Sequence, residues 1–268
     1  MRGALAALAL PLLAALGAEA EPIAPSELST LPTADIVILG EVHDNPWHHE
    51  NQTAAVAELQ PAALVFEMLT PEYAARVTPD LMTDAEALRA TLDWDESGWP
   101  DFAMYAPIFA AAPEARVFGA AVPREELRGV VMGEGELPED AARWGLDAAL
   151  PDEQQAEREA MQAEAHCDAL PETMLPGMVM AQRVRDAALA RKALRALDET
   201  GGPVAVITGN GHARTDWGMP AKLARAAPEV SVLSVGQLEA APEDSAPYDL
   251  WLVTPEAERP DPCDAFRG

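Results

Sequence analysis

Between Asp35 and Phe66 the chain reads strand, helix, strand. Asp35-Ile-Val-Ile-Leu39 is a short β-branched run that ends at Gly40. Pro46 stands where a first helical turn tolerates a missing N–H, and a helical stretch follows to about Leu59. Pro61 breaks it, and Ala63-Leu-Val-Phe66 reads as a second buried strand leading into Glu67. Two strands joined by a helix in about thirty residues form a crossover unit, which forces parallel pairing. Four more segments read as strands: 116–122, 203–207, 230–235 and 248–253. Met180 to Leu197 is the clearest helix. The expected fold class is α/β, with a mostly parallel central sheet, helices on both faces and an inserted helical section between the strands at 116–122 and 203–207. The 71–113 region is expected to be mostly helical, and it concentrates Trp94, Trp99, Phe102, Tyr105 and Phe109. No internal repeat or linker divides the chain, so residues 21–268 read as a single domain, and 268 residues are ample for one core.

The charge is lopsided. Asp and Glu number 45 against 18 Lys and Arg, for a formal net charge of −27. Only Lys192 and Lys222 are lysines. Nucleic acid is excluded as an expected partner, because a polyanion needs a basic surface to displace its counterions. An anionic membrane surface is disfavoured for the same reason. A hydrophobic content of 49% argues against disorder.

The N-terminus has a different logic. Arg2 precedes an apolar stretch from Ala4 to Leu16, and Ala18-Glu19-Ala20 follows. That order matches a secretory signal peptide over residues 1–20, cleaved after Ala20; an uncleaved anchor or a buried N-terminal helix is the alternative. The mature protein is then expected outside the cytoplasm, in a periplasm if the source is bacterial, with no membrane span and no N-terminal Cys for a lipid anchor. In an oxidising compartment Cys167 and Cys263, the only cysteines, are disulfide candidates. Free or metal-binding thiols are the alternative.

Two segments share a shape. Gly40-Glu-Val-His43 closes one predicted strand and Gly209-Asn-Gly-His212 closes another. Ligands of parallel α/β sheets sit at the carboxyl ends of the strands, so His43, His212, Glu41 and Glu67 are expected at one edge. Imidazole with carboxylate serves as a metal ligand set or as an acid–base pair. The metal reading assigns His43, Glu67 and His212 to a divalent ion such as zinc, with Glu41 acting on water; together these four are the catalytic set of a hydrolase. A metal-free version uses His43 as general base. In the plainer alternative, His43 and His212 are loop histidines satisfied by the backbone.

These residues also carry a resemblance. Ile38-Leu-Gly-Glu-Val-His-Asp-Asn-Pro-Trp-His-His-Glu-Asn-Gln52 resembles the opening motif of the ChaN-type haem-binding proteins, and Val65-Phe-Glu-Met68 the strand that follows. Ala165-His-Cys167, Met180-Ala-Gln-Arg-Val-Arg-Asp-Ala187, Gly209-Asn-Gly-His212 and Trp217-Gly-Met-Pro220 resemble later parts of that family. It falls in a superfamily with Tiki metalloproteases, TraB proteins and erythromycin esterases. The resemblance implies an exported haem-binding protein of iron uptake; a protease- or esterase-type metal hydrolase and a silent binding module are the alternatives. Haem needs an apolar slot, an axial ligand and cations for its propionates. Candidate ligands are Tyr73, Tyr105, Tyr248 and the five histidines, with Tyr105 preferred for its aromatic surroundings. His43, His49, His166, Arg185 and His212 complete the expected cofactor-binding set. Haem held between two copies in a homodimer is left open.

Overall fold

The computed structural model describes residues 20–261 and 263–264. The signal segment expected at 1–20 lies outside them except for Ala20. Seven strands form one sheet: β1 (Glu21–Pro22), β2 (Ile36–Glu41), β3 (Ala63–Phe66), β4 (Arg116–Gly119), β5 (Val204–Gly209), β6 (Val232–Leu238) and β7 (Leu250–Val253). Their order is β1-β7-β6-β2-β5-β3-β4, and every neighbouring pair is parallel. The two-residue β1 is too short to show any periodicity in sequence.

Strands β2, β3 and β5 are buried along their whole length, as expected for parallel strands covered on both faces. Alternation along each strand divides the core in two. Val37, Leu39, Leu64, Phe66, Ala205 and Ile207 pack on one side with Tyr105, Ile108 and Phe109 of the Phe102–Ala111 helix. Ile36, Ile38, Ala63, Val65, Val204 and Val206 pack on the other, with Ala187, Ala190 and Ala193 of the Leu175–Thr200 helix. That helix is longer than its clearest sequence segment. It starts with Pro176 in its first turn and stops at Gly201, whose φ of +81° suits a glycine cap. Among the described residues, no helix is long and apolar enough to cross a membrane.

Register sets the position of the functional edge. Glu41 pairs with Gly209, and Phe66 with Ile207. The three central strands therefore end side by side, and Glu41, Glu67 and Gly209 meet at one edge. The tail closes over part of it. Arg259 bonds Asp44 at 2.9 Å and Glu239 at 2.8 Å, and Asn45 donates to Glu239 at 2.8 Å. Cys263 forms a disulfide with Cys167, 96 residues away and just past the Asp152–Ala165 helix. Closing a loop of that length removes about 4–5 kcal/mol of unfolded-state entropy. Cys263→Ser is therefore expected to shift the urea midpoint sharply downward and to make it insensitive to reductant. A midpoint equal to that of the oxidised parent would contradict this.

Candidate functional site

The site is built from two buried carboxylates at adjacent strand ends. Glu41 ends β2 and is 1% exposed. Gln52 donates to its Oε2 at 2.7 Å, while the Tyr105 hydroxyl and His43 Nδ1 approach its Oε1 at 2.9 and 2.7 Å. Gln52 sits on the buried face of the Pro46–Leu59 helix, one turn beyond His48 and His49. Asn45 starts that helix by accepting from the Trp47 and His48 amides.

Glu41 orients His43. The carboxylate takes Nδ1, and the side chain is 33% exposed. Gly209 makes room for it: a Cβ there would lie 2.9 Å from His43 Nε2. Burial works against the imidazolium, but the Glu41 hydrogen bond and the field of Glu67 outweigh it and raise the His43 pKa. Trp99 flanks the ring edge-on, with centroids 4.9 Å apart.

Glu67 anchors the second half. Its Oε2 accepts from the Thr208 hydroxyl at 2.7 Å and the Gly209 amide at 2.8 Å, and its Oε1 lies 3.4 Å from His212 Nε2. His212 Nδ1 lies 2.6 Å from Asp186 Oδ1. Burial opposes charge on His212, yet Glu67 and Asp186 overcome it and push its pKa up to about 10. His212 is therefore an imidazolium held between two carboxylates. Burial likewise opposes the Glu67 carboxylate, and His212 overrides it, holding Glu67 far below the usual range. Asp186 continues the chain to Arg158, 3.7 Å away.

Two clefts open along this edge. One, of about 470 Å³, has apolar walls from Met68, Leu92, Trp94, Val122 and Leu127, with Tyr73, Arg124 and Arg185 also lining it. The other, of about 540 Å³, is lined by His43, His212, Arg158, Gln162, Gln182 and Trp217 among others. Glu67, Trp99 and Arg185 belong to both.

Glu41, His43, Glu67, Arg185 and His212 of the expected set thus gather at this edge. The other three, His49, Tyr105 and His166, line neither cleft. His49 is 1% exposed and bonds the His43 carbonyl at 2.9 Å. His166 bonds the Gln162 carbonyl at 2.8 Å beside the disulfide. Tyr105 is fully buried and lines neither cleft; burial and Glu41 push its phenol far above the ordinary range. The tyrosine that lines a cleft is Tyr73, whose hydroxyl donates to Asp93 at 3.0 Å. Removing the Tyr105 hydroxyl takes a donor from a buried carboxylate. Tyr105→Phe is thus expected to cost about 1.5–3 kcal/mol in chemical denaturation with the fold retained, and an unchanged midpoint would contradict the bond.

His43, Glu67 and His212 do not make a metal centre. Among the described residues, no group of three or more His, Cys, Asp or Glu is placed to hold an ion. The physical reason is that Glu67 and His212 spend their atoms on each other, on Asp186, on Thr208 and on the Gly209 amide. For a hydrolase the structure supplies a carboxylate-oriented histidine and no metal set. Arg158 is a site residue that sequence reasoning passes over. The available signal was its isolation, as the sole cation of the Asp152–Ala165 helix.

A family model for haem-binding uptake proteins of the ChaN type, in the Tiki superfamily, matches residues 28–223. The chain belongs to the ChaN family. Among solved structures, the haem-binding ChaN of Campylobacter jejuni superposes with a TM-score of 0.66 at 18% identity, over 84% of this chain and 89% of that one. This supports a shared ChaN fold. The type III effector HopBA1 aligns at a TM-score of 0.45 and 14% identity, over 87% of this chain and 92% of that one, a likeness too weak to argue from. No curated protein matches the chain.

Proposed function

We propose that the protein binds haem as cargo in the apolar cleft, where Tyr73 would hold the ferric iron through its phenol oxygen. One observation carries this reading. The cleft combines apolar walls, two arginines and, among its lining residues, Tyr73 as the one His, Tyr or Cys side chain. A volume of about 470 Å³ is in the range of small-molecule sites. Phenolate is a hard donor suited to ferric iron. Trp94 and Trp99 offer flat surfaces, and Arg124 and Arg185 offer cations for propionates. The Campylobacter jejuni relative is a haem binder, which supports the same cargo here. The signal-like N-terminus and the disulfide support export to an oxidising compartment.

Haem supplies the iron; the chain supplies the pocket and the proton balance. The Tyr73 hydroxyl is hydrogen-bonded to Asp93, which raises its pKa. Ligation requires that proton to leave. Haemin affinity, followed by the Soret band, is therefore expected to rise with pH across the neutral range, with a proton released per haem bound. Tyr73→Phe should flatten that dependence. A pH-independent affinity in the parent would refute Tyr73 ligation.

A further inference from the structure

The second cleft has a polar imbalance. Its three carboxylates have close partners in the chain: Glu41 meets Gln52, Tyr105 and His43, Glu67 meets Thr208, Gly209 and His212, and Asp186 meets His212 at hydrogen-bond distance, with Arg158 as a longer ion-pair partner. The donors of its two arginines are less well met. Arg158 is 5% exposed, yet its only polar contact among the described residues is the 3.7 Å approach to Asp186, too long for a hydrogen bond. Arg185 has a buried Nε with no partner. A guanidinium carries five N–H donors and accepts nothing. The Arg185 Nε is a buried donor left unmade, which is costly, and among the described residues no side chain hydrogen-bonds either guanidinium, so an acceptor entering the cleft would meet donors that the chain leaves open.

The surroundings narrow what that acceptor is. The Arg158 guanidinium lies 5.6 Å over the Trp217 ring, and Arg214 lies 3.7 Å over the same ring. Gln162 presents a buried amide oxygen without a partner. Rotation of that amide exchanges oxygen for NH2 and adds a donor. In a chain of net charge −27, this cleft, unlike the apolar one, combines a buried arginine, Arg158, with the shared Arg185.

We infer that the cleft lined by Arg158, Arg185, Gln162 and Trp217 is a carboxylate-binding subsite. The planar fork of a guanidinium matches a carboxylate in a bidentate way. The carboxylate has two possible sources. Arg185 lines both clefts, so a propionate of haem in the apolar cleft is one source. A free small carboxylate can also enter, and that source does not depend on the haem reading.

The test uses the parent protein, Arg185→Gln and Arg158→Lys. Arg185→Gln removes a side chain that makes no hydrogen bond among the described residues, and Arg158→Lys keeps the charge beside Asp186 while removing the fork. Two titrations are run on each. Sodium propionate at constant ionic strength is followed by tryptophan fluorescence, which Trp217 reports. Haemin and its dimethyl ester are compared by the Soret band. A haem propionate as the ligand predicts that the parent prefers haemin over the ester by about tenfold and that both variants lose the preference. A free carboxylate predicts saturable fluorescence change with propionate, weakened about tenfold in both variants, with equal affinities for haemin and the ester. Either result supports the subsite. Absence of both, with folded variants that titrate like the parent, overturns it. Loss of all Soret change would refute haem binding instead, and the propionate titration would still decide the subsite.

Discussion

His212→Leu is expected to destabilise the fold by about 3–5 kcal/mol, the cost of removing one partner from a buried ion network. The substitution leaves Glu67 and Asp186 facing each other across the hole, each stripped of its main cation. His212→Gln should recover part of the loss, since its amide can still donate to one of the two carboxylates. The same network fixes the pH profile. In the fold His212 is pushed up to about 10 from 6.5, so its contribution is complete below pH 6.5 and fades as pH rises toward 10. Glu67 is held far below 4.5, so its contribution is complete above pH 4.5 and fades as pH falls. Stability from this pair should therefore peak between pH 4.5 and 6.5 and fall on both sides. Urea midpoints measured across pH 3 to 10 check both limbs. A parent that gains stability between pH 7 and 10, or a His212→Leu variant with the same alkaline limb, would contradict the bridged imidazolium.

Tyr73→Phe is expected to weaken haemin binding by at least about 100-fold, since even the outer-shell partners of metal ligands cost 10–100-fold when removed. The ring stays, so the apolar wall is unchanged. Only the oxygen that would meet the iron is lost, together with its bond to the exposed Asp93 side chain. Tyr105→Phe is the matched control. It removes a hydroxyl that faces Glu41 rather than a cleft, and its effect should fall on stability and leave haemin affinity within about threefold, the scatter typical of indirect effects. If the two substitutions exchanged these outcomes, the ligand would be Tyr105 and the apolar cleft would be the wrong place for haem.

The sheet was readable because burial on both faces writes itself as β-branched runs, as at Ile36–Leu39 and Val204–Ile207. The strand ends were readable too. Gly40 lies one residue before the end of β2, and Gly209 ends β5 where His43 passes close to the backbone, so Glu41, His43, Glu67 and His212 could be placed at one edge. What each of them does there was not readable. Whether a histidine ligates or bridges depends on which carboxylate lies at its other nitrogen, and Asp186 reaches His212 from a helix 26 residues earlier. The choice between Tyr73 and Tyr105 turned on burial. Aromatic neighbours drew attention to Tyr105, but in the structure one of them, Trp94, packs with His49 against its ring in the core. Tyr73 lies in a four-residue helical turn that no periodicity announces.

The central claim is that haem sits in the apolar cleft on Tyr73, and resonance Raman spectroscopy of the ferric haem complex tests it most directly. Enhanced phenolate ring modes in the parent, absent from the Tyr73→Phe complex and retained in His43→Ala, are the predicted result. A spectrum without phenolate modes that survives Tyr73→Phe and collapses in His43→Ala would place the iron on His43 in the neighbouring cleft and contradict the claim.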